Sequence, residues 1–432
     1  MKARRATLFC IIILFLAAPH SSSRGKNLIL SLKDGQSFET IERNYAIRKI
    51  RLLPNTQTFL VGVDDPDTRT ILTRLQNDAS VAGAEEDTGF SLNSTTAPVD
   101  LTSLVDAQTM TTFYGTNVLR AYADQPALDL IRASRVRGIS TGAAIKVAYI
   151  DTGVDPFHPA LQPWLDPGVD LVANRTSSEW DGLTQSMASL LDQSMASLLD
   201  PRFFFILDQN LASLLNGGGS TAAPPAFGHG TMVAGVIHAV APEARLIPIK
   251  AFDVYGSTTT FTVVQAVNQA VALGADVINM SFSTTQSSDA LKHAIDAAKN
   301  RGISVVASAG NDARDAVGYY PGAYGNIWGV AATDQNDRLA SFSNYGGHVA
   351  VTAPGTFIIS TAPGGRYAAA WGTSFSAPMV TGAIAVVKSV RPGQKDGQSV
   401  VTEADKIDQL NPGFGGKLGH GRINLQSALN VK

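Results

Sequence analysis

The chain has 432 residues, room for about two or three domains of ~150 residues each. Hydrophobic residues make up 44% and charged residues 16%, against roughly 25% charged in an average globular chain, which excludes a disordered polymer and allows a large core. Lys and Arg number 34 against 36 Asp and Glu, so the basic excess of a nucleic-acid binder is absent.

Lys2, Arg4 and Arg5 precede a short apolar run from Leu8 to Ala18, and Ser21-Ser22-Ser23 follows. This is the layout of a secretory signal peptide over residues 1–23. The run is too short to span a bilayer comfortably, so no stable membrane anchor is expected. Cys10, the only cysteine, lies inside it, and Thr7-Leu8-Phe9 lacks the small residue of a lipoprotein signal. An exported chain without disulfides must be held by its core or by bound ions.

Residues 27–92 read as a small separate unit. Leu28 to Leu32, Lys49 to Leu53 and Thr58 to Val63 have strand character, with a helix from Ser37 to Arg48. A second helix spans Asp67 to Asn77 and a last strand begins near Val81, giving the β-α-β-β-α-β order of a ferredoxin-like α+β unit. Residues 93–125, rich in Ser, Thr and Ala, read as an exposed connector and processing region.

Over residues 126–432 the pattern becomes α/β. Ile145 to Ile150, Arg245 to Lys250, Asp276 to Met280 and Ile303 to Ala307 are short apolar strands, separated by helices such as Thr262 to Leu273 and Asp289 to Arg301. That alternation implies a mostly parallel sheet, whose site forms at the carboxyl ends of its strands. An insertion over 163–226 breaks the rhythm: QSMASLLD at Gln185 to Asp192 recurs at once and again, degraded, as QNLASLLN ending at Asn216. Met187, Leu190, Leu191, Met195, Leu198 and Leu199 fall within about half of a helical wheel, so one amphipathic surface helix accounts for the tandem copies; a lid or a partner-binding helix is the sharper alternative.

Four glycine-flanked motifs stand at strand ends or helix starts: Asp151-Thr152-Gly153, Gly228-His229-Gly230-Thr231, Ser308-Ala309-Gly310-Asn311 and Gly372-Thr373-Ser374. Each alone has an ordinary reading, such as an Asp bonding nearby amides, a His in a turn, a Ser as N-cap or an Asn in a left-handed bend. Together they fill every role of one chemistry. Ser374 is the nucleophile, His229 its general base and acid, and Asp151 the carboxylate that fixes the imidazole tautomer. Asn311 offers an amide to an oxyanion. The other histidines (158, 238, 293, 348, 420) show no metal-ligand spacing, so no metal residue is assigned.

The stretches VAYIDTGVDPFHPAL, GHGTMVAGVI, DVINMSFS, SVVASAGND and GTSFSAPMVTGAIA, in Asp, His, Ser order, resemble the subtilisin-like serine proteases (peptidase family S8) from about Leu128 to Asn424. Residues 27–92 resemble that family's inhibitory propeptide, down to Gly83-Ala84-Glu85-Glu86-Asp87. The resemblance implies a three-layer subtilisin-like fold and a secreted, monomeric endopeptidase acting on proteins or peptides. It also implies a preproenzyme whose own propeptide inhibits it and is cut off after residue 87 and before about 125. Ser281-Phe282-Ser283 would be one cleft wall and Ser308-Ala309-Gly310 the other, with Gly318 at the pocket base leaving room for a large side chain. Asp312 nearby would favour a basic one. The family's tight calcium site needs an Asp where this chain has Ala160, in His158-Pro159-Ala160, so no certain cofactor follows; weaker calcium sites need only clustered oxygens. Two further readings use the same residues: a non-catalytic subtilisin-like module that recruits a partner through the repeats, and esterase or transferase chemistry through the same triad.

Overall fold

The structure is a computed structural model that describes residues 26–63, 68–92, 109–172, 175–176, 205–206, 226–315, 317–325, 327–393 and 397–431. The expected signal peptide over residues 1–23, the QSMASLLD repeats and residues 93–108 of the expected connector lie outside the described residues. The chain divides into two compact units, one ending at Glu86 and one beginning at Asp87.

In the first unit, strands β1 (Asn27–Leu32), β2 (Ile47–Leu52), β3 (Thr58–Val63) and β4 (Val81–Glu86) form an antiparallel sheet in the order β2-β3-β1-β4. Helices Phe38–Tyr45 and Thr68–Gln76 connect them. Leu28, Leu30 and Leu32 of β1 pack with Ile41, Phe59, Val61, Ile71 and Leu75, the one-face spacing that strand and helix periods dictate. The first helix stops three residues before its expected end. Ala46 adopts a left-handed φ of 50°, and Ile47 opens β2.

The second unit begins with strand β5 (Gly89–Ser91), followed by the hairpin of β6 (Met110–Phe113) and β7 (Thr116–Leu119). Here the connector expectation needs correcting. Phe113, Val118, Leu119, Tyr122 and Ala123 are buried in the main core, and the Tyr122 hydroxyl donates to the Gly235 carbonyl at 2.8 Å and meets His238 Nδ1 at 2.7 Å. Gln125 is buried and pairs both ends of its amide with the backbone of Ile359. Composition hid this because the anchoring aromatics are spaced irregularly among small polar residues.

The central sheet runs β10 (Arg175–Thr176), β9 (Val169–Asp170), β12 (Arg245–Lys250), β8 (Lys146–Asp151), β14 (Val277–Met280), β15 (Ser304–Ser308), β16 (Trp328–Thr333), β17 (Val349–Pro354). Seven strands are parallel, and β10 pairs antiparallel with β9 at the edge. Val147, Tyr149, Val277, Val306, Val330 and Val351 face helices His229–Val240 and Thr373–Val390, while Ala148, Ile150 and Ile278 are buried on the other side. Burial on both faces explains why these strands read as continuous apolar runs. At roughly 1.5–3 kcal/mol for each large apolar side chain, this core needs no disulfide. Strand β11 (Phe205–Ile206) adds to the hairpin of β18 (Ile358–Ala362) and β19 (Arg366–Ala370). Strand β13 (Ser257–Thr259) pairs with β5.

Candidate active site

Asp151 is the last residue of β8, and His229 is the first of helix His229–Val240. Ser374 is the second residue of helix Thr373–Val390. All three are buried, at 1%, 5% and 6% exposed. His229 Nδ1 lies 2.7 Å from Asp151 Oδ1, which also accepts the Thr152 N–H at 2.7 Å. The Thr152 hydroxyl in turn accepts the Gly230 N–H at 3.0 Å, tying the helix to the strand end. Only glycine permits that approach: a Cβ on Gly230 would stand 2.1 Å from the Gly153 carbonyl oxygen. Lys250, buried at the end of β12, donates to the Thr152 carbonyl and, at 3.1 Å, to that of Phe252.

Ser374 Oγ donates to the Ser281 carbonyl at 3.1 Å, and the Phe375 ring stands 5.6 Å from the His229 imidazole. Pro378, inside the helix, has no N–H to give to the Ser374 carbonyl four residues back. The Ser281 hydroxyl supplies that bond at 2.8 Å, so the first cleft residue also locks the turn carrying Ser374. Asn279, fully buried, donates to the same hydroxyl at 2.8 Å.

Asn311, half-buried, accepts at Oδ1 from the Thr373 N–H at 2.9 Å and from the Thr373 hydroxyl at 2.8 Å. With its oxygen held twice, the amide is oriented and its Nδ2 is turned the other way. The Thr373 hydroxyl also accepts the Gly310 N–H at 3.2 Å. Thr373 lay inside the quoted Gly-Thr-Ser motif without a role in the sequence reading. Asn344, which bonds the carbonyls and amides of the 309–314 segment, gave no sequence signal at all.

The expected walls stand side by side: Ser281 and Phe282 are buried, Ser308 Oγ donates to the Phe282 carbonyl at 3.3 Å, and Ala309 and Gly310 continue from β15. Ser283 Oγ faces Gly310. Gly318 borders open space. A Cβ there would meet nothing within 4 Å, whereas one on Gly310 would come within 3.1 Å of Tyr319 Cδ1 and 3.2 Å of Ser283 Oγ. The ring of Tyr319, not open space at Gly318, fills the position beside Gly310.

A strand of this chain lies against the first of these segments. Gly89–Ser91 pairs antiparallel with Ser257–Thr259, and the Leu92 N–H donates to the Gly256 carbonyl at 2.8 Å. Phe90 is buried edge-on to Phe282 at 5.9 Å, with Phe252 stacked behind at 4.9 Å. Asp87 Oδ1 accepts the Phe261 N–H at 2.8 Å in the first turn of helix Thr260–Ala272, and burial pushes its carboxyl up.

Residues 142–410 match the profile of the Subtilase family (peptidase S8), well over half of the chain. The chain belongs to the subtilase family. It is 34% identical over 285 residues to a thermophilic serine proteinase of Bacillus sp. (strain AK1), covering 66% of this chain and 61% of that one. It is 36% identical over 305 residues to subtilisin Savinase of Lederbergia lenta, covering 68% and 94% respectively. The crystal structure of fervidolysin from Fervidobacterium pennivorans, a keratinolytic enzyme related to subtilisin, superposes with a TM-score of 0.69 at 22% identity, covering 94% of this subtilase and 61% of that chain. That likeness bears on the fold, including the antiparallel α+β unit ahead of the parallel sheet.

Proposed function

We propose that this subtilase is a secreted serine endopeptidase, made as a preproenzyme that cuts itself, with Asp151, His229 and Ser374 as its triad. The observation that carries the reading is the buried 2.7 Å contact between His229 Nδ1 and Asp151 Oδ1 at the strand end, beside the helix turn that bears Ser374. Asp151 holds the imidazole with Nδ1 protonated, leaving Nε2 as the base. Ser374 Oγ turns from the Ser281 carbonyl, gives its proton to Nε2 and attacks the peptide carbonyl. The oxyanion is met by Asn311 Nδ2 and by the Ser374 N–H, which in the first helical turn has no acceptor within the helix. His229 then protonates the leaving amine, giving an acyl-enzyme, and water reverses the sequence with the same base.

Peptide binding as an added strand is supported by Gly89–Ser91, an extended segment already paired with Ser257–Thr259. An extended segment that follows directly on the N-terminal unit and is already paired there supports reading it as the inhibitory tail of the propeptide. Phe113, Val118 and Leu119 of the hairpin of β6 and β7 are buried in the main core, which supports a cut after Leu92 and before Thr109. Calcium in the family's tight site lacks its side-chain oxygen here, since Ala160 is apolar and fully buried.

The test is the intact mass of the secreted protein, wild type beside Ser374→Ala. Loss of the N-terminal unit from the wild type alone is the expected result. Equal trimming of both would mean that another protease matures the chain, and absence of trimming in both would overturn self-processing.

A further inference from the structure

We propose that Tyr319 determines specificity by closing the floor of the pocket for the residue preceding the scissile bond, so that this protease selects small side chains there. The inference rests on the endopeptidase reading above. The two walls, Ser281–Ser283 and Ser308–Gly310, are joined by the Ser308 hydroxyl on the Phe282 carbonyl. The third side is the segment from Tyr319 to Gly322. It is fastened to the first wall by a reciprocal pair, Thr284 N–H to the Tyr320 carbonyl and Tyr320 N–H to the Thr284 carbonyl, both 2.7 Å. It is fastened to the second by close approach, since a Cβ on Gly322 would lie 3.0 Å from the Ser308 carbonyl oxygen. The segment therefore cannot drift away from the walls without breaking both.

From this floor the Tyr319 ring rises against Gly310. The side chains of Tyr319 and Ser283 converge there closely enough that one methyl group added to Gly310 would touch both, at 3.1 and 3.2 Å. The ring is buried, and burial, with the Asp312 carboxylate near the hydroxyl, pushes the phenol up. The ring is thus held by its burial and by packing at Gly310. Asp312, which is exposed and lies beyond the ring with Arg314 two residues on, is a poor partner for a basic side chain entering the pocket. An alanine-sized group fits beside the ring; a leucine or phenylalanine side chain would have to displace it.

The experiment measures kcat/KM for four peptides that differ only in the residue before the cleaved bond: Ala, Leu, Phe or Lys. Each enzyme preparation is normalised with an acylating active-site titrant, so that partial folding of a variant does not alter the ratios. The wild type is expected to prefer Ala over Leu and Phe by about tenfold or more. Tyr319→Gly is expected to raise the Phe and Leu values by roughly 10- to 200-fold, with the Ala value little changed. Tyr319→Phe, which keeps the ring, should keep the Ala preference. A wild-type preference for Phe or Leu would show that the ring serves as a platform or swings aside, and overturns the proposal. So does a preference for Lys, or a Phe-to-Ala ratio that Tyr319→Gly leaves unaltered. Failure of the titrated wild type to cleave any of the four overturns the endopeptidase reading, and this proposal with it.

Discussion

Thr373→Val removes a hydroxyl one residue before the proposed nucleophile while keeping side-chain shape. Two hydrogen bonds disappear: the 2.8 Å bond to Asn311 Oδ1 and the 3.2 Å bond from the Gly310 N–H. The 2.9 Å bond from the Thr373 N–H to the same Asn311 oxygen remains, so the amide is loosened, not freed. The bond to Asn311 is worth about 0.5–1.5 kcal/mol. At about 1.36 kcal/mol per factor of ten, kcat should fall roughly 2- to 13-fold, with KM nearly constant because the oxyanion forms only after binding. Asn311→Ala removes the donor itself and should cost about 100- to 1000-fold in kcat, a range carried over from subtilisin. The decisive assay is the double-mutant cycle on one chromogenic peptide. In the Asn311→Ala background, Thr373→Val should add less than about twofold, since its effect passes through Asn311. An equal loss in both backgrounds, or a change confined to KM, would refute the argument.

Two further outcomes follow from buried groups. Burial pushes His238 down to about 3, so the folded protein keeps it neutral while the unfolded chain takes up a proton below 6.5. Stability should therefore fall as pH drops from about 6.5 toward 3, by up to about 1.36 kcal/mol per pH unit from this residue. His238→Gln should flatten the dependence of Tm on pH between 6 and 4 by roughly that slope, with His158, also lowered by burial, retaining its own share. An unchanged slope would show that His238 is not the group responsible. Gly230→Ala should destabilise the second unit by about 3 kcal/mol or more, because its methyl would stand 2.1 Å from the Gly153 carbonyl oxygen. Near-wild-type thermal melting with full activity would contradict that contact.

The sequence alone exposed everything whose cause is local. The strands at 245–250 and 58–63 were legible to the residue, because both-face burial demands unbroken apolar runs between turn residues. Asp151, His229, Ser374 and Asn311 were legible because each had to sit at a strand end or helix start, where glycines mark the exits. The order of elements in the small unit was legible for the same reason; the first helix ended three residues early, at the left-handed Ala46, and the strand after it began earlier, at Ile47.

Tertiary structure decided what depends on distant approach. Tyr319 and Gly318 are neighbours with equal claim to the pocket, and only the pairing of Tyr320 with Thr284 aims one of them at Gly310. Phe113 and Tyr122 looked like connector until His238 and Gly235, more than a hundred residues away, supplied their partners. The grip of Thr373 on Asn311 and the Ser281 hydroxyl at the carbonyl that Pro378 leaves open likewise join residues far apart in the chain. Hydrophobic period and turn chemistry act over a few residues and can be read in order. A hydrogen bond between residues 36 to 116 positions apart exists only once the fold has brought their segments together.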